Sequence, residues 1–200
     1  MNRVSEDYLR FEFNNGDKAY VKRDSVSLIR DVDAAIFDCD GVLIDIRGSY
    51  DKAVSETVAF ILRKFTGYPF AKDMIDDETI FLFRKSGGFN NDWDICYGVL
   101  MFILYSLPED LQEIFGKAAS NITSNEKAFD RLLLLEKRVK ERNIADMLSK
   151  TVVRDLIKEV KAFTDNLDES GVLSVDKNLQ RSFCGSGREL YDGLKHLLYY

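Results

Sequence analysis

Two aspartates at the end of a short apolar run are the residues whose types and spacing could do chemistry. The run, Ala34 to Phe37, has the length and composition of a buried strand, and Asp38 and Asp40 follow it. Gly41 comes next and permits a tight or left-handed turn. Because ligands bind at the carboxyl ends of strands in open α/β sheets, we expect both carboxylates to lie at a ligand site.

Two carboxylates held this close together require a cation. At a separation of about 4 Å their repulsion amounts to roughly 4 kcal/mol in a partly screened site. A divalent metal bound together with a phosphate group is the expected occupant, since hard oxygen ligands suit Mg²⁺. The spacing therefore predicts a reaction centre for phosphate chemistry. The alternative is an Asp-x-Asp-Gly turn that only ends a strand.

A β-hairpin is predicted before this segment. Leu9, Phe11 and Phe13 alternate with charged residues, and Asn15-Gly16 is a two-residue turn that matches the twist of paired strands. The segment Ala19-Tyr20-Val21 would form the returning strand.

After Asp45 the apolar period changes to that of helices. Gly67 and Pro69 end the first helix, and an Asn91 or Asp92 cap begins an almost wholly apolar one that we expect to be buried centrally. The predicted helical ranges are about 49–66, 76–85, 91–107, 109–119, a long helix introduced by Thr123, 151–163 and 187–200. Residues 165–176 are predicted to be a loop.

These elements divide the chain into four predicted parts. They are the hairpin and connector (1–30), the first core strand with its two aspartates (31–48), a helical domain (49–175) and a segment that returns towards the core (176–200).

Composition excludes several classes of protein. The formal charge of −6 over 200 residues argues against nucleic acid as the main partner, because binding it requires a basic face. No stretch reaches the roughly 18 apolar residues of a membrane span.

The three cysteines, Cys39, Cys96 and Cys184, are far apart and form no Cys-x-x-Cys pair, which is typical of reduced thiols in the cytoplasm. His196 is the only histidine, so a multi-histidine metal site is excluded.

The phrase from Phe37 to Asp45, Phe-Asp-Cys-Asp-Gly-Val-Leu-Ile-Asp, resembles the first motif of the haloacid dehalogenase superfamily. It is similar to the branch in which a helical cap is inserted just after that motif. The phrase Gly87-Gly88-Phe89-Asn90-Asn91-Asp92-Trp93-Asp94, with Gly48-Ser49-Tyr50 upstream, resembles a little-characterised phosphatase-like subfamily of that branch, known largely from archaea and bacteria. The resemblance implies an α/β fold with a mostly helical cap after the first strand of an incomplete Rossmann-like core.

The resemblance also implies a reaction. Asp38 would be the nucleophile towards phosphorus, and Asp40 would be the general acid and base. One carboxylate oxygen of Asp38 and the carbonyl of Asp40 would hold Mg²⁺. Since dehalogenases proper lack this second acid, the resemblance favours phosphate ester hydrolysis, and a helical cap favours a small phosphorylated metabolite as substrate.

The segment Ser86–Asp94 has two interpretations. In the functional one, Lys85 contacts an anionic substrate, Asn90 and Asn91 hydrogen-bond to it, and Trp93 forms an apolar wall. In the structural one, the segment is a glycine-rich turn in which Asn91 or Asp92 caps a helix and Trp93 packs into the core.

The motifs of the family's later strands, a Ser or Thr, a Lys and an acidic pair, are not recognisable in this sequence. We therefore expect weak or absent phosphatase activity from the chain alone. The alternatives are a truncated enzyme, one half of a split enzyme completed by another polypeptide, and a non-catalytic interaction module. An unpaired edge at Ala34–Phe37 would favour a homodimer or a partner strand.

Overall fold

A computed structural model describes residues 7–120, 122, 127–140, 142–182 and 187–199. Its contacts divide the chain between Asp45 and Ile46 into two compact units. Most of the described residues are helical, and the sheet within them is a two-stranded antiparallel hairpin.

The hairpin of the first unit confirms the two predicted strands but not the predicted two-residue turn. Phe13 pairs with Asp17 through a 2.9 Å backbone hydrogen bond, so three residues, Asn14 to Gly16, form the turn. Strands β1 (Tyr8–Glu12) and β2 (Lys18–Lys22) pair with Leu9 opposite Val21 and Phe11 opposite Ala19. Gly16 has a φ of +86° in the connecting turn, where a side chain would be strained. A 3₁₀ turn (Arg23–Ser25) and the short helix α1 (Val26–Ile29) follow.

The predicted core strand at Ala34–Phe37 does not form. Residues 34–37 form neither a strand nor a helix. Ile36 is 100% exposed and Phe37 is 65% exposed. The apolar composition suits a strand, but a strand also needs a neighbour that accepts its backbone hydrogen bonds and a layer that covers its side chains. The structure supplies neither to this run, so the prediction of a buried first strand is wrong for this unit.

The second unit is a helical assembly. A single π-helical turn (Arg47–Asp51) leads into it. Its helices are α2 (Lys52–Thr66), α3 (Asp77–Lys85), α4 (Asp92–Tyr105), α5 (Glu109–Ala119), α6 (Ala128–Lys140), α7 (Ile144–Met147), α8 (Lys150–Phe163), α9 (Val172–Arg181) and α10 (Gly187–Tyr199).

Helix α4 forms the centre of this unit, as its apolar sequence predicts. All its residues from Ile95 to Tyr105 are buried except Phe102, and it packs against α2, α8, α9 and α10. Gly98 allows the close approach of neighbouring helices, since a Cβ there would lie 2.8 Å from the Phe83 ring. No helix among the described residues is both long and apolar enough to cross a membrane.

Side-chain caps fix the starts of the helices around α4. The Asp76 side chain accepts a 2.7 Å hydrogen bond from the Thr79 N–H at the start of α3. The Asn91 side chain accepts a 2.8 Å bond from the Trp93 N–H at the start of α4. Helix α2 ends at Gly67, which has a left-handed φ of +71°, in agreement with the sequence prediction.

The C-terminal helices differ from the sequence analysis. Helix α9 begins at Val172, inside the range predicted to be a loop. Helix α10 packs against α4, α5 and α6, so both helices belong to the same compact unit as residues 49–175.

Close approach of α5 and α10 depends on Gly193, where a Cβ would lie 2.8 Å from the Cβ of Ala119. Thr123, proposed to introduce α6, lies outside the described residues.

Candidate functional site

Asp38 and Asp40 lie in a tight turn organised around Gly41. The Gly41 N–H donates a 2.9 Å hydrogen bond to the Ile44 carbonyl, and the N–H groups of Leu43 and Ile44 both donate to the Cys39 carbonyl at 2.9 Å. Gly41 has a φ of +76°, which a residue with a side chain rarely adopts. The glycine of the motif is therefore required by the turn.

Both carboxylates of this turn are exposed. The Asp38 carboxylate accepts a 2.8 Å hydrogen bond from the Cys39 N–H. Exposed carboxylate oxygens can be ligands of Mg²⁺. The other ligands of this ion are commonly water and phosphate oxygens. The carboxylates of this turn are donors of the type that the expected ion takes, and Asp38 and Asp40 would be its ligands. Within the described part of the chain, no three His, Cys, Asp or Glu residues form a metal-binding group.

The structure divides the four predicted substrate-binding residues into two pairs. Lys85 is the last residue of α3 and is exposed, as is Asn90. Asn91 caps α4, and the half-buried Trp93 donates from its indole N–H to the Leu198 carbonyl of α10 at 3.1 Å. The structural interpretation thus holds for Asn91 and Trp93. Substrate contacts by Lys85 and Asn90 remain a prediction.

A glycine pair fixes the position of this loop. A Cβ on Gly88 would lie 2.2 Å from the nitrogen of Gly171 and 2.9 Å from the Asp168 carbonyl oxygen. A Cβ on Gly171 would lie 2.3 Å from the Gly88 carbonyl oxygen. The two loops meet backbone to backbone, and nothing in the sequence pattern links them.

Arg84 joins the beginning of the helical unit to the start of α4. Its guanidinium donates to Asp51 at 2.5 Å and to Asp92 at 2.9 Å. The Asp51 side chain is 4% exposed, so Arg84 supplies the positive charge that a buried carboxylate requires. Arg84 and Asp51 are 33 positions apart in the chain, and a pairing at that separation carries no periodic signal in the sequence.

A buried polar network lies where α4, α9 and α10 meet. Asp176 of α9, which is 4% exposed, accepts a 2.8 Å hydrogen bond from the Tyr97 hydroxyl and a 2.6 Å ion pair from Lys195. The Lys195 ammonium also lies 3.4 Å from the Tyr191 hydroxyl. Burial and the Asp176 carboxylate raise the pKa of Tyr191 to about 12. The members of this network come from three separate helices, so no local sequence pattern predicts it.

Asp94 lies close to this network, in the first turn of α4. Its carboxylate is half-buried and accepts a long, 3.5 Å hydrogen bond from the Tyr199 hydroxyl. Burial raises the pKa of this carboxyl above its ordinary value, and the Tyr199 hydroxyl offsets part of that effect.

The predicted site residues therefore fall into the two units. Asp38 and Asp40 belong to the first, and Lys85, Asn90, Asn91 and Trp93 belong to the second. Comparisons with protein families, with curated proteins and with solved structures found no match. The resemblance of the Asp-x-Asp segment to the haloacid dehalogenase motif thus depends on its sequence alone.

Proposed function

We propose that the chain belongs to a Mg²⁺-dependent phosphohydrolase of the haloacid dehalogenase type, with Asp38 as nucleophile. The observation that supports this is the exposed turn 38–44, in which Gly41 has a positive φ and the two carboxylates face solvent. A carboxylate that attacks phosphorus must be accessible to a substrate, and this turn provides that access.

The two aspartates would divide the reaction between them. The Asp38 carboxylate attacks phosphorus and forms an aspartyl-phosphate, while the bond from phosphorus to the leaving oxygen breaks and Asp40 donates a proton to that oxygen. Asp40 then removes a proton from a water molecule, which attacks the same phosphorus and releases Asp38. Bound Mg²⁺ would reduce the repulsion between the anionic nucleophile and the anionic substrate.

The proposed substrate is a small phosphorylated metabolite in the cytoplasm, with neither nucleic acid nor a membrane as partner. Lys85 and Asn90 are the remaining candidates for substrate contact, since both side chains are exposed. Asn91 and Trp93 are assigned to holding the loop, because each already has a structural hydrogen bond.

Phosphate release from p-nitrophenyl phosphate by the full chain, with and without Mg²⁺, tests this proposal. We expect slow, Mg²⁺-dependent release that Asp38→Asn and Asp40→Asn each reduce by at least about a hundredfold. Asp33→Asn is the matched control, because it removes an exposed carboxylate of the same unit outside the turn. Equal turnover in Asp38→Asn, or no Mg²⁺ binding by calorimetry together with no release, would overturn the proposal.

A second candidate function is a non-catalytic interaction module that forms a homodimer. The first unit favours it, because none of its described residues is buried although Ile36, Phe37 and Leu43 are large and apolar. Exposed apolar patches commonly mark association surfaces.

Light scattering separates the two candidates. A dimer that is indifferent to Mg²⁺ and becomes monomeric in Ile36→Lys supports the interaction module. A monomer that binds Mg²⁺ supports the phosphohydrolase, and Lys18→Glu on the hairpin is a control change of exposed charge.

A further inference from the structure

A small cleft in the helical unit combines charged, aromatic and apolar groups. Its volume is about 220 Å³, and its walls include Asp94, Asp176, Lys195, Tyr199 and Leu173, with the Gly88 backbone beside them. This volume lies below the roughly 300–1,000 Å³ of drug-sized ligand pockets, so the cleft suits a small ligand. At one side of the cleft the backbones of Gly88 and Gly171 are in close contact.

The charges of the cleft do not balance. Lys195 is already paired with Asp176 at 2.6 Å, and Tyr97 satisfies the second oxygen of that carboxylate. Asp94 makes no ion pair with a lysine or arginine among the described residues, and its hydrogen bond from Tyr199 is long. The cleft therefore has a net charge of about −1 when Asp94 is ionised. The excess charge is on Asp94, which the N-terminal end of α4 offsets in part.

The charges of the cleft favour binding of a cation over binding of an anion. An ammonium ion at Asp94 would pair with a half-buried carboxylate, where water screens the attraction less than at the surface. The Tyr199 side chain also lines the cleft, and its ring, which packs against that of Tyr97, has the quadrupole that attracts cations. An anion would have to compete with Asp176 for Lys195 and would face Asp94 as a like charge.

The other wall favours a ligand with an apolar part. Leu173 is 59% exposed at the start of α9, and Val172 lies next to it in the cleft wall. A short alkyl chain would remove part of this apolar surface from water, at about 25 cal/mol per Å². Charge and apolar wall together specify an amphiphilic amine.

We propose that this cleft binds a small primary ammonium ion with a short alkyl chain, held by Asp94 and Tyr199 and packed against Leu173. The site is formed by the helical unit alone. It is therefore independent of the phosphohydrolase proposed for Asp38.

Titration of the full chain with n-butylamine near pH 7 tests the proposal, with heat of binding and Trp93 fluorescence as readouts, since the Trp93 indole bonds to the Leu198 carbonyl next to Tyr199. We expect saturable binding in the millimolar range, and butyrate, of the same length and opposite charge, should not bind. Asp94→Asn should weaken butylamine binding at least about tenfold. Asp110→Asn is the matched control, because it removes a carboxylate from the first turn of α5, away from the cleft, and should leave binding unchanged.

Leu173→Ala provides a test that does not depend on the folding of the Asp94 variant, because this side chain is largely exposed. It should weaken butylamine binding about threefold and leave binding of methylamine, which has no alkyl chain beyond its methyl group to bury, nearly unchanged. Asp38→Asn should not change amine binding, which separates this inference from the proposed hydrolase. Absence of saturable amine binding, equal binding of butyrate, or unchanged binding in both Asp94→Asn and Leu173→Ala would overturn it.

Discussion

Gly88 and Gly171 lie so close together that neither position has room for a side chain. The Cβ of an alanine at position 88 would lie 2.2 Å from the nitrogen of Gly171 and 2.4 Å from its Cα. Gly171 also has a φ of +59°, so an alanine there would be strained as well as crowded. This contact holds the loop before α4 against the loop before α9.

Gly88→Ala should therefore destabilise the helical unit strongly. Because the obstructing atoms belong to backbone, they cannot rotate away, and we expect a loss of about 1–3 kcal/mol or more in the free energy of unfolding. Urea denaturation followed by circular dichroism measures it. Gly48→Ala is the control, because a Cβ at that position meets nothing within 4 Å. Equal stability of the two variants would contradict the observed contact.

Arg84→Met should leave the Asp51 carboxylate buried without its cation. We expect the free energy of unfolding to fall by about 2–3 kcal/mol, because the charge of the Asp51 carboxylate stays buried while the cation that pairs with it is removed. The double variant Arg84→Met, Asp51→Asn should recover part of this loss, and a double-mutant cycle measures the coupling. Arg154→Met provides the comparison: its pair with Asp155 is largely exposed and should contribute less than about 0.5 kcal/mol.

The cap at Asp76 predicts a pH-dependent contribution to stability. The hydrogen bond from Thr79 lowers the pKa of Asp76 below its ordinary value. A lowered folded-state pKa means that the stabilisation is fully present above the unfolded-state value, about 4, and is lost as the pH falls through the folded-state value. Asp76→Ala should therefore lower the free energy of unfolding by about 1 kcal/mol near pH 7. The difference in this free energy between the variant and the native chain should become smaller below about pH 4.

Denaturation at a series of pH values measures this difference. Asp73→Ala, which changes a nearby exposed aspartate outside the helix, should show no such narrowing. A difference of constant size down to about pH 2 would contradict the assigned cap.

The thiols of Cys39 and Cys96 should differ greatly in reactivity. Burial, with a smaller contribution from Asp92, raises the pKa of the Cys96 thiol to about 12, whereas Cys39 is exposed in the Asp-x-Asp turn. Near pH 8 only about one Cys96 thiol in ten thousand would be ionised. In a Cys184→Ser background, a disulfide reagent should modify one equivalent rapidly, and the second only after unfolding.

The variant Cys39→Ser tests whether Cys39 is the thiol that reacts rapidly, because the rapid phase of modification should then be absent. Rapid modification of two equivalents in the native protein would contradict the burial of Cys96. Because Cys39 lies between Asp38 and Asp40, a change in its labelling rate on addition of Mg²⁺ would also report metal binding at the turn.

Local sequence signals predicted much of the helical unit. The Asn91 cap, the Gly67 stop and the apolar length of α4 each act within a few residues, so their pattern is visible in the sequence. The start of α9 was not predicted, because its polar residues and Gly171 are typical of a loop. Tertiary contacts with α4 and with Lys195 of α10 stabilise it as a helix.

The candidate site shows a similar division. Gly41 and its turn are local, and the sequence identified them correctly. The pairing of Lys195 with Asp176 and of Arg84 with Asp51 joins separate helices, for which a single sequence has no signal. The strand predicted at Ala34–Phe37 was wrong for the complementary reason: its composition suits a sheet, but strand formation depends on neighbours that composition does not specify.

The burial of α4 has a consequence for protein synthesis. This helix is apolar on nearly every side, and one of its covering layers is α10, which is translated more than eighty residues later. A nascent chain that has emerged only as far as α9 would present that side of α4 to the solvent. Transiently exposed apolar surface of this kind is prone to aggregation and is what chaperones protect, so a stall before α10 should leave the chain dependent on them until translation resumes.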